Sequence, residues 1–291
     1  MLFEKSARRH SADLAIKVRK ASRTGEKMKV GFIGCGNMGG ALARAVISVM
    51  QTNVYVNDYD KEKAEAFCRD TGAEYRSGAD ICRECDFIFL GVKPAVLPSL
   101  LTALDSHIQE NKRSTLVSMA AGVAISKIEA ALTSPHAIIR IMPNTPVAIG
   151  KGMITWCNND LVTEKAQDEF LKIMSGAGRL DRIPESLIDA ASAVAGCGPA
   201  FVYMFLEALA DGGVECGLPR DKAMLYAAET LKGAADMVEQ TGKHPGLLKD
   251  EVCSPGGSTI EGVTVLKSSE FEQIVIDCIK AAYKRNKELG K

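Results

Sequence analysis

A chain of 291 residues is long enough for two cores, since single hydrophobic cores rarely grow past about 250–300 residues. Its 36 Lys and Arg balance 36 Asp and Glu, which gives no electrostatic footprint for nucleic acid, and no uninterrupted run of 18 apolar residues indicates a membrane span. Nine cysteines, an odd number scattered through apparent helices and strands without a secretory signal, fit a reducing compartment; the expected location is the cytoplasm and the expected partners are small molecules and sister subunits.

Residues 1–27 stand apart. They carry eight Lys or Arg against three acids, a net charge of +5 that leaves −5 on the remainder. Such a basic, serine-containing, mildly amphipathic leader reads either as an organellar presequence or as an extension ahead of a fold that starts at Met28.

From Lys29 to Ala41 a short apolar run breaks into glycines and then into a helical pattern: strand, phosphate-binding turn, helix. Gly34, Gly36 and Gly39 have the G-x-G-x-x-G spacing. Gly34 permits the tight turn, Gly36 lets backbone approach a pyrophosphate, and Gly39 lets the helix pack close to the strand. In a chain with 26 glycines the same pattern also arises as a structural turn, but its context favours a dinucleotide. A second apolar run, Val54 to Val56, ends in Asn57-Asp58 about 20 residues on, where a ribose-binding acid is expected. A helix over Lys61 to Thr71 follows, then buried strands at Asp86 to Val92, Leu116 to Met119 and Ala137 to Ile141, with a helical run from Ser126 to Leu132. Ligands bind outside the carboxyl ends of such strands, which singles out Lys93-Pro94, Ala120-Ala121-Gly122 and Pro143-Asn144-Thr145-Pro146 as walls of a shared cofactor cleft. The Cys82-x-x-Cys85 pair lacks further ligands at metal spacing and reads as a coincidence on a helix.

From about Pro184 the pattern is helical: Glu185 to Val194, Pro199 to Gly217, Pro219 to Thr241 and Phe271 to Leu289. The expected division is 28–183 for the dinucleotide-binding domain and 184–291 for an all-helical domain. The helix from Pro199 is apolar nearly all round, so it is the centre of a core or half of a subunit interface. Ser254-Pro255-Gly256-Gly257-Ser258-Thr259 describes a loop entering a helix. Its N–H groups are available for a carboxylate, with a simple Ser or Thr helix cap as the alternative.

Together these motifs, with Gly196-Cys197-Gly198-Pro199-Ala200, His244-Pro245-Gly246 and Leu248-Lys249-Asp250, resemble the Δ1-pyrroline-5-carboxylate reductases, which make proline. The resemblance runs from Met28 to the C-terminus. It implies an α/β chain with an N-terminal Rossmann doubly wound sheet, an all-α C-terminal dimerisation domain, and a homodimer that many members assemble five-fold into a decamer. It also implies NAD(P)H as cofactor. Ile33, Gly34, Cys35, Gly36, Asn37, Met38 and Gly39 would hold the pyrophosphate, Asn57 and Asp58 would flank the adenine ribose, and Val92, Lys93 and Pro94 would line the nicotinamide half. Ala120, Ala121, Gly122 and Asn144 complete the cofactor set. Glu185, Gly257, Ser258 and Thr259 fall at the substrate contacts, with Thr259 the hydrogen-bond partner of the ring nitrogen.

The implied reaction is hydride transfer to the C=N carbon of a cyclic imine, with no metal and no required histidine. His107 and His136 fall in apparent loops, and His244 reads as structural. Asp58, where relatives often carry a small neutral residue, leads to an expected preference for NADH. The alternatives are a related β-hydroxyacid dehydrogenase or imine reductase, which lack Ser-Pro-Gly-Gly-Ser-Thr, and a non-catalytic nicotinamide sensor, which predicts a degraded substrate loop.

Overall fold

Short apolar runs become the strands of one eight-stranded sheet in the computed structural model of the chain, which describes residues 28–50 and 53–289. The expectations for residues 1–27 lie outside the described residues. The strands are β1 (Val30–Ile33), β2 (Val54–Asn57), β3 (Glu74–Tyr75), β4 (Phe87–Leu90), β5 (Thr115–Ser118), β6 (Ala137–Met142), β7 (Gly152–Asn158) and β8 (Gly178–Arg182). Their order is β3-β2-β1-β4-β5-β6-β7-β8. The first six run parallel in the order of a doubly wound nucleotide-binding sheet, β7 is antiparallel to β6, and β8 is parallel to β7.

Both faces of this sheet are covered, which is why the strands read as continuous apolar runs rather than as alternation. One face buries Val30, Phe32, Val56 and Phe89 beneath α1 (Asn37–Met50), with Phe32 and Phe89 stacked at 4.5 Å. The other buries Ile88, Leu90, Leu116 and Ile138 against α3 (Gly78–Glu84), α4 (Leu97–Glu110) and α5 (Ile125–Ala130). The helix α2 (Lys61–Thr71) has the expected ends because both are chemically marked: Asp60 caps the Lys63 N–H at 3.1 Å, and Gly72 takes the left-handed φ of 78°. His107 lies in α4 rather than in a loop. Pro98 sits in the first turn of that helix, where its missing N–H leaves no bond unmade. The helix read under Cys82-x-x-Cys85 is α3, with Cys85 at its C-cap; the strands β3, β7 and β8 and the helices α4 and α6 (Glu164–Ile173) are further additions to the expected elements.

By backbone packing the chain divides after Ala200. Residues 201–275 form a second compact unit, and 276–289 return to the sheet unit. The compositional break near Pro184 marks the end of the strands instead. The residues just beyond it, including α7 (Ile188–Ala191), stay with the sheet, where Ile188 is fully buried in the core. Among the described residues Glu185–Glu215 make one helical stretch of 31 residues with mean hydropathy 1.5, long and apolar enough to cross a membrane. Counting uninterrupted apolar residues does not reveal it, because isolated polar residues such as Ser192 break the count without lowering the average much.

The second unit contains most of α8 (Gly198–Glu215), α9 (Arg220–Thr241), α10 (Pro245–Glu251), α11 (Ser258–Ser268) and the start of α12 (Phe271–Leu289). Gly217, at φ 97°, ends α8 as its position predicts. The unit has little core of its own: its buried apolar cluster is Ala210, Ala223 and Ala227, whereas Tyr203, Met204, Leu225 and Val265 are exposed. The apolar face of α8 is therefore not the centre of a core within one chain.

Candidate cofactor and substrate sites

The turn after β1 exists because three glycines touch backbone to backbone. Gly34 takes φ 100°, and a Cβ there would fall 2.5 Å from the Gly91 carbonyl oxygen; one at Gly39 would fall 2.1 Å from the Gly34 oxygen. These approaches bring the start of α1 against the ends of β1 and β4. Gly36 differs, since a Cβ there would meet nothing within 4 Å. Helix α1 starts at Asn37 with no acid in its first turn, and the Gly40 N–H donates to the Gly36 oxygen at 2.7 Å. The N–H groups at the start of the helix have no partners within it. An open glycine wall beside a helix N-terminus without a carboxylate of its own fits a dinucleotide pyrophosphate.

Asn57 and Asp58 tie the end of β2 to this turn. The Asn57 oxygen accepts the Gly34 N–H at 2.8 Å, and the Asn57 side chain donates to the Arg76 oxygen at 3.0 Å. Asp58 Oδ2 accepts the Cys35 N–H at 2.7 Å, and Oδ1 the Asp60 N–H at 3.1 Å. Burial pushes the Asp58 pKa up, but those N–H groups and Lys63 outweigh it, and the carboxyl lies below its usual value. Each oxygen keeps lone-pair capacity for a further donor. Cys35 is buried, and burial together with Asp58 pushes its thiol up to about 12, so it is a packing residue rather than a nucleophile. Cys82 and Cys85 are likewise buried with thiols pushed up to about 12. Among the described residues no group of three or more His, Cys, Asp or Glu is arranged to hold a metal ion.

The other cofactor candidates follow neighbouring strands. Val92, Lys93 and Pro94 succeed β4, with Lys93 exposed; Ala120, Ala121 and Gly122 succeed β5, with Gly122 at φ 74°. Asn144 follows β6 but is buried, and its amide works within the chain: Nδ2 donates to the Ala195 oxygen at 3.0 Å and Oδ1 accepts the Met153 N–H at 2.9 Å. It clasps the strand end to the π-helical segment Ser192–Gly196.

Glu185 also has partners in the sheet unit. Its Oε1 accepts the Ile125 N–H at 2.7 Å and Arg140 Nη1 at 3.1 Å, while Arg140 Nη2 pairs with Asp189 at 3.1 Å. The carboxylate also borders a cavity of about 330 Å³ shared with Ser126, Glu129 and Asp160. Arg140, which joins Glu185 to Asp189, is a residue that the motifs pass over. The signal is present, as a lone charge inside the apolar run Ala137-Ile138-Ile139-Arg140-Ile141.

In the helical unit, α11 begins at Ser258, and Gly257 occupies the N-cap with φ −82°. A glycine has no side chain to cap with, so the Ser or Thr cap alternative does not hold and the first-turn N–H groups stay available. Ser258 and Thr259 are exposed, and Gly256 supplies the preceding φ of 70°. A Cβ on Gly257 would lie 2.5 Å from Ser254 Oγ. His244 caps α10, its Nδ1 accepting the Gly246 N–H at 3.0 Å, which gives the structural reading a geometric basis.

Comparison with known proteins assigns both halves. The profile of the pyrroline-5-carboxylate reductase dimerisation family matches residues 185–289, and that of the NADP oxidoreductase coenzyme F420-dependent family matches 29–122. The chain is 39% identical over 267 residues to the pyrroline-5-carboxylate reductase of Escherichia coli K12, covering 90% of this chain and 98% of that one. It is 37% identical to the Arabidopsis thaliana enzyme, covering 91% and 96%. The crystal structure of Plasmodium falciparum pyrroline carboxylate reductase with NADP bound superposes with TM-score 0.83 at 32% identity, covering 91% of this chain and 99% of that one. An imine reductase from Pseudomonas sp., at 19% identity and TM-score 0.54, shares the fold alone. With the glycine turn, the strand-end loops and the Gly257 helix entry all in place, the chain belongs to the pyrroline-5-carboxylate reductase family.

Proposed function

We propose that this protein reduces Δ1-pyrroline-5-carboxylate to proline with a nicotinamide dinucleotide, the last step of proline synthesis. The observation that carries the reading is the coexistence of an open Gly36 wall at the α1 N-terminus with an uncapped helix entry at Gly257-Ser258-Thr259. One suits a pyrophosphate and the other a carboxylate. The dinucleotide supplies the hydride. The turn from Ile33 to Gly39 holds its pyrophosphate, with the N–H groups at the start of α1 as the donors, since those of Gly34 and Cys35 are held by Asn57 and Asp58; Asn57 and Asp58 flank its ribose, and the loops at Val92 to Pro94 and Ala120 to Gly122 align its reactive ring.

On the substrate side, the N–H groups of Ser258 and Thr259 hold the carboxylate, and the Thr259 hydroxyl accepts a hydrogen bond from the protonated ring nitrogen. A protonated imine is already an electrophile, so orientation and exclusion of water suffice and no strong acid is needed. Asp58 favours NADH over NADPH, because the additional phosphate would meet a like charge.

The working form is a homodimer through the helical unit, with a ring of five dimers as the larger assembly. That assignment also accounts for the membrane-length hydropathy of Glu185–Glu215, since a dimer interface needs the same apolar surface. Nine free cysteines fit a cytoplasmic location.

The test is loss of NADH absorbance on adding pyrroline-5-carboxylate to the purified protein, with proline measured as product. Turnover supports the reading. Cofactor binding without turnover points to the sensor, and turnover only of other imines or of β-hydroxyacids points to the related dehydrogenases.

A further inference from the structure

We propose that Arg140 is a positioning residue for cofactor binding, acting through Glu185 on the loop between β5 and α5. The proposal rests on the reading above that Ala120 to Gly122 lie on the cofactor side. Arg140 stands in β6 opposite Ser118, which is followed within two residues by Ala120. Its side chain is only 4% exposed, so its charge must be met within the protein. Nη1 reaches Glu185 and Nη2 reaches Asp189, each at 3.1 Å. The Glu185 oxygen that Arg140 holds is the one that accepts the Ile125 N–H, the first residue of α5.

That N–H needs a partner because the α5 N-cap is Ala124, whose side chain offers none. A carboxylate brought from 60 residues away replaces the missing cap. The loop Met119 to Ala124 is thus pinned at one end by β5 and at the other by Glu185. The planar guanidinium holds one carboxylate on each arm, Glu185 on Nη1 and Asp189 on Nη2, a spacing that a lysine's single ammonium cannot reproduce.

The second arm serves a different purpose. Asp189 also meets Lys287 Nζ at 3.6 Å, and its backbone oxygen accepts Asn286 Nδ2 at 3.0 Å, so it fastens α7 to the end of α12. The geometry therefore assigns the Glu185 arm to the cofactor loop and the Asp189 arm to stability.

The experiment compares Arg140→Met, Arg140→Lys, Glu185→Ala and Asp189→Asn in the full chain. It uses NADH titrations by fluorescence, thermal melting, and separate KM values for NADH and imine. Arg140→Met and Glu185→Ala should each raise the NADH dissociation constant at least fivefold, with KM for pyrroline-5-carboxylate within about twofold of wild type. Their combination should be no worse than either alone, and Arg140→Lys should recover part of the loss. Asp189→Asn should lower the melting temperature and leave NADH affinity within twofold. If Arg140→Met does not fold, Glu185→Ala, altered at a partly exposed residue, carries the same expectation.

Unchanged NADH affinity in Glu185→Ala would overturn the proposal, as would an equal loss in Asp189→Asn. So would a loss confined to KM for the imine, which would make Glu185 a substrate ligand only. NADH titration reads this outcome whether or not pyrroline-5-carboxylate is turned over by the wild type, so a failure of the substrate assignment is seen separately.

Discussion

The Asp58 carboxylate accepts the backbone N–H of Cys35 at 2.7 Å, so the acid at the end of β2 also braces the turn that would receive the pyrophosphate. Cofactor choice and turn geometry therefore share one side chain, and two substitutions separate them. Asp58→Asn keeps an acceptor at the same reach and removes the charge, whereas Asp58→Ser removes the charge and draws the acceptor back by one bond, away from the Cys35 N–H. Two unit charges about 4 Å apart repel by roughly 1 kcal/mol in water and about 4 kcal/mol near a protein surface, about five- to several-hundredfold in affinity. Both variants should gain kcat/KM for NADPH relative to NADH, and the serine variant should also bind NADH more weakly. A wild-type preference for NADPH, or no relative gain in either variant, removes the electrostatic argument.

Gly36 and Gly39 should fail in different ways when changed to alanine. At Gly39 the new Cβ would meet the Gly34 oxygen at 2.1 Å, so the backbone must move and both melting temperature and cofactor affinity should fall. At Gly36 the Cβ enters open space. Gly36→Ala should melt within a few degrees of wild type yet bind NADH at least tenfold more weakly. Paired calorimetry and titration would show it, and an unaltered NADH affinity in Gly36→Ala would place the pyrophosphate elsewhere.

What the sequence showed of this site followed from how local each signal was. The Gly34-x-Gly36-x-x-Gly39 turn, the cap-to-cap span of α2 and the Gly217 stop are set by neighbours in the chain, and all are visible in the residue order. Asp58 also meets Cys35, Asn144 meets Ala195 and Glu185 meets Ile125, partners 23, 51 and 60 residues away that no periodicity reports. The edge strand β8 (Gly-Arg-Leu-Asp-Arg) was invisible for a related reason: three of its five residues are exposed, so its pairing with β7 leaves little apolar pattern. Arg140 lay between these cases, its charge conspicuous in an apolar strand but its partners unknowable from spacing.

Thr259→Ala should lower turnover while leaving NADH affinity unchanged. The residue is the second of α11, it is exposed, and its backbone N–H survives the substitution. Only the hydroxyl contact to the ring nitrogen is lost. One neutral hydrogen bond is worth roughly 0.5–1.5 kcal/mol, or up to about tenfold, and more where the ring nitrogen is charged. Steady-state kinetics with both substrates varied would decide it: a variant that lost NADH affinity and kept its rate would put Thr259 outside the substrate site.

His136 should make the sheet unit less stable in mild acid. It is buried, Nε2 contacts Ser114 Oγ at 2.9 Å, and Nδ1 is buried without a hydrogen-bond partner. Burial, helped by Lys112 and opposed by Asp105, holds its pKa below the usual 6.5. With the folded value the lower one, the unfolded chain binds the extra proton first, so stability is lost as pH falls through about 6.5 towards the folded pKa. The melting temperature should drop more between pH 7.5 and pH 5.5 in wild type than in His136→Gln. Equal drops would show that other groups control the acid response.

The helical unit should not persist as a monomer. With Ala210, Ala223 and Ala227 as its buried apolar cluster, it exposes Tyr203 by 58%, Met204 by 70% and Val265 by 66%, far more apolar surface than its core conceals. Covering one large apolar side chain contributes about 1.5–3 kcal/mol, so a few of them, each repeated by two-fold symmetry, exceed the cost of association. Sedimentation should therefore find a dimer or larger species at micromolar concentration. Met204→Arg would place a charge in the covered surface and should shift the protein towards monomer, with its far-ultraviolet circular dichroism preserved. A wild-type monomer with full activity would remove the interface from this face, and an unshifted Met204→Arg assembly would move it away from the exposed side of α8.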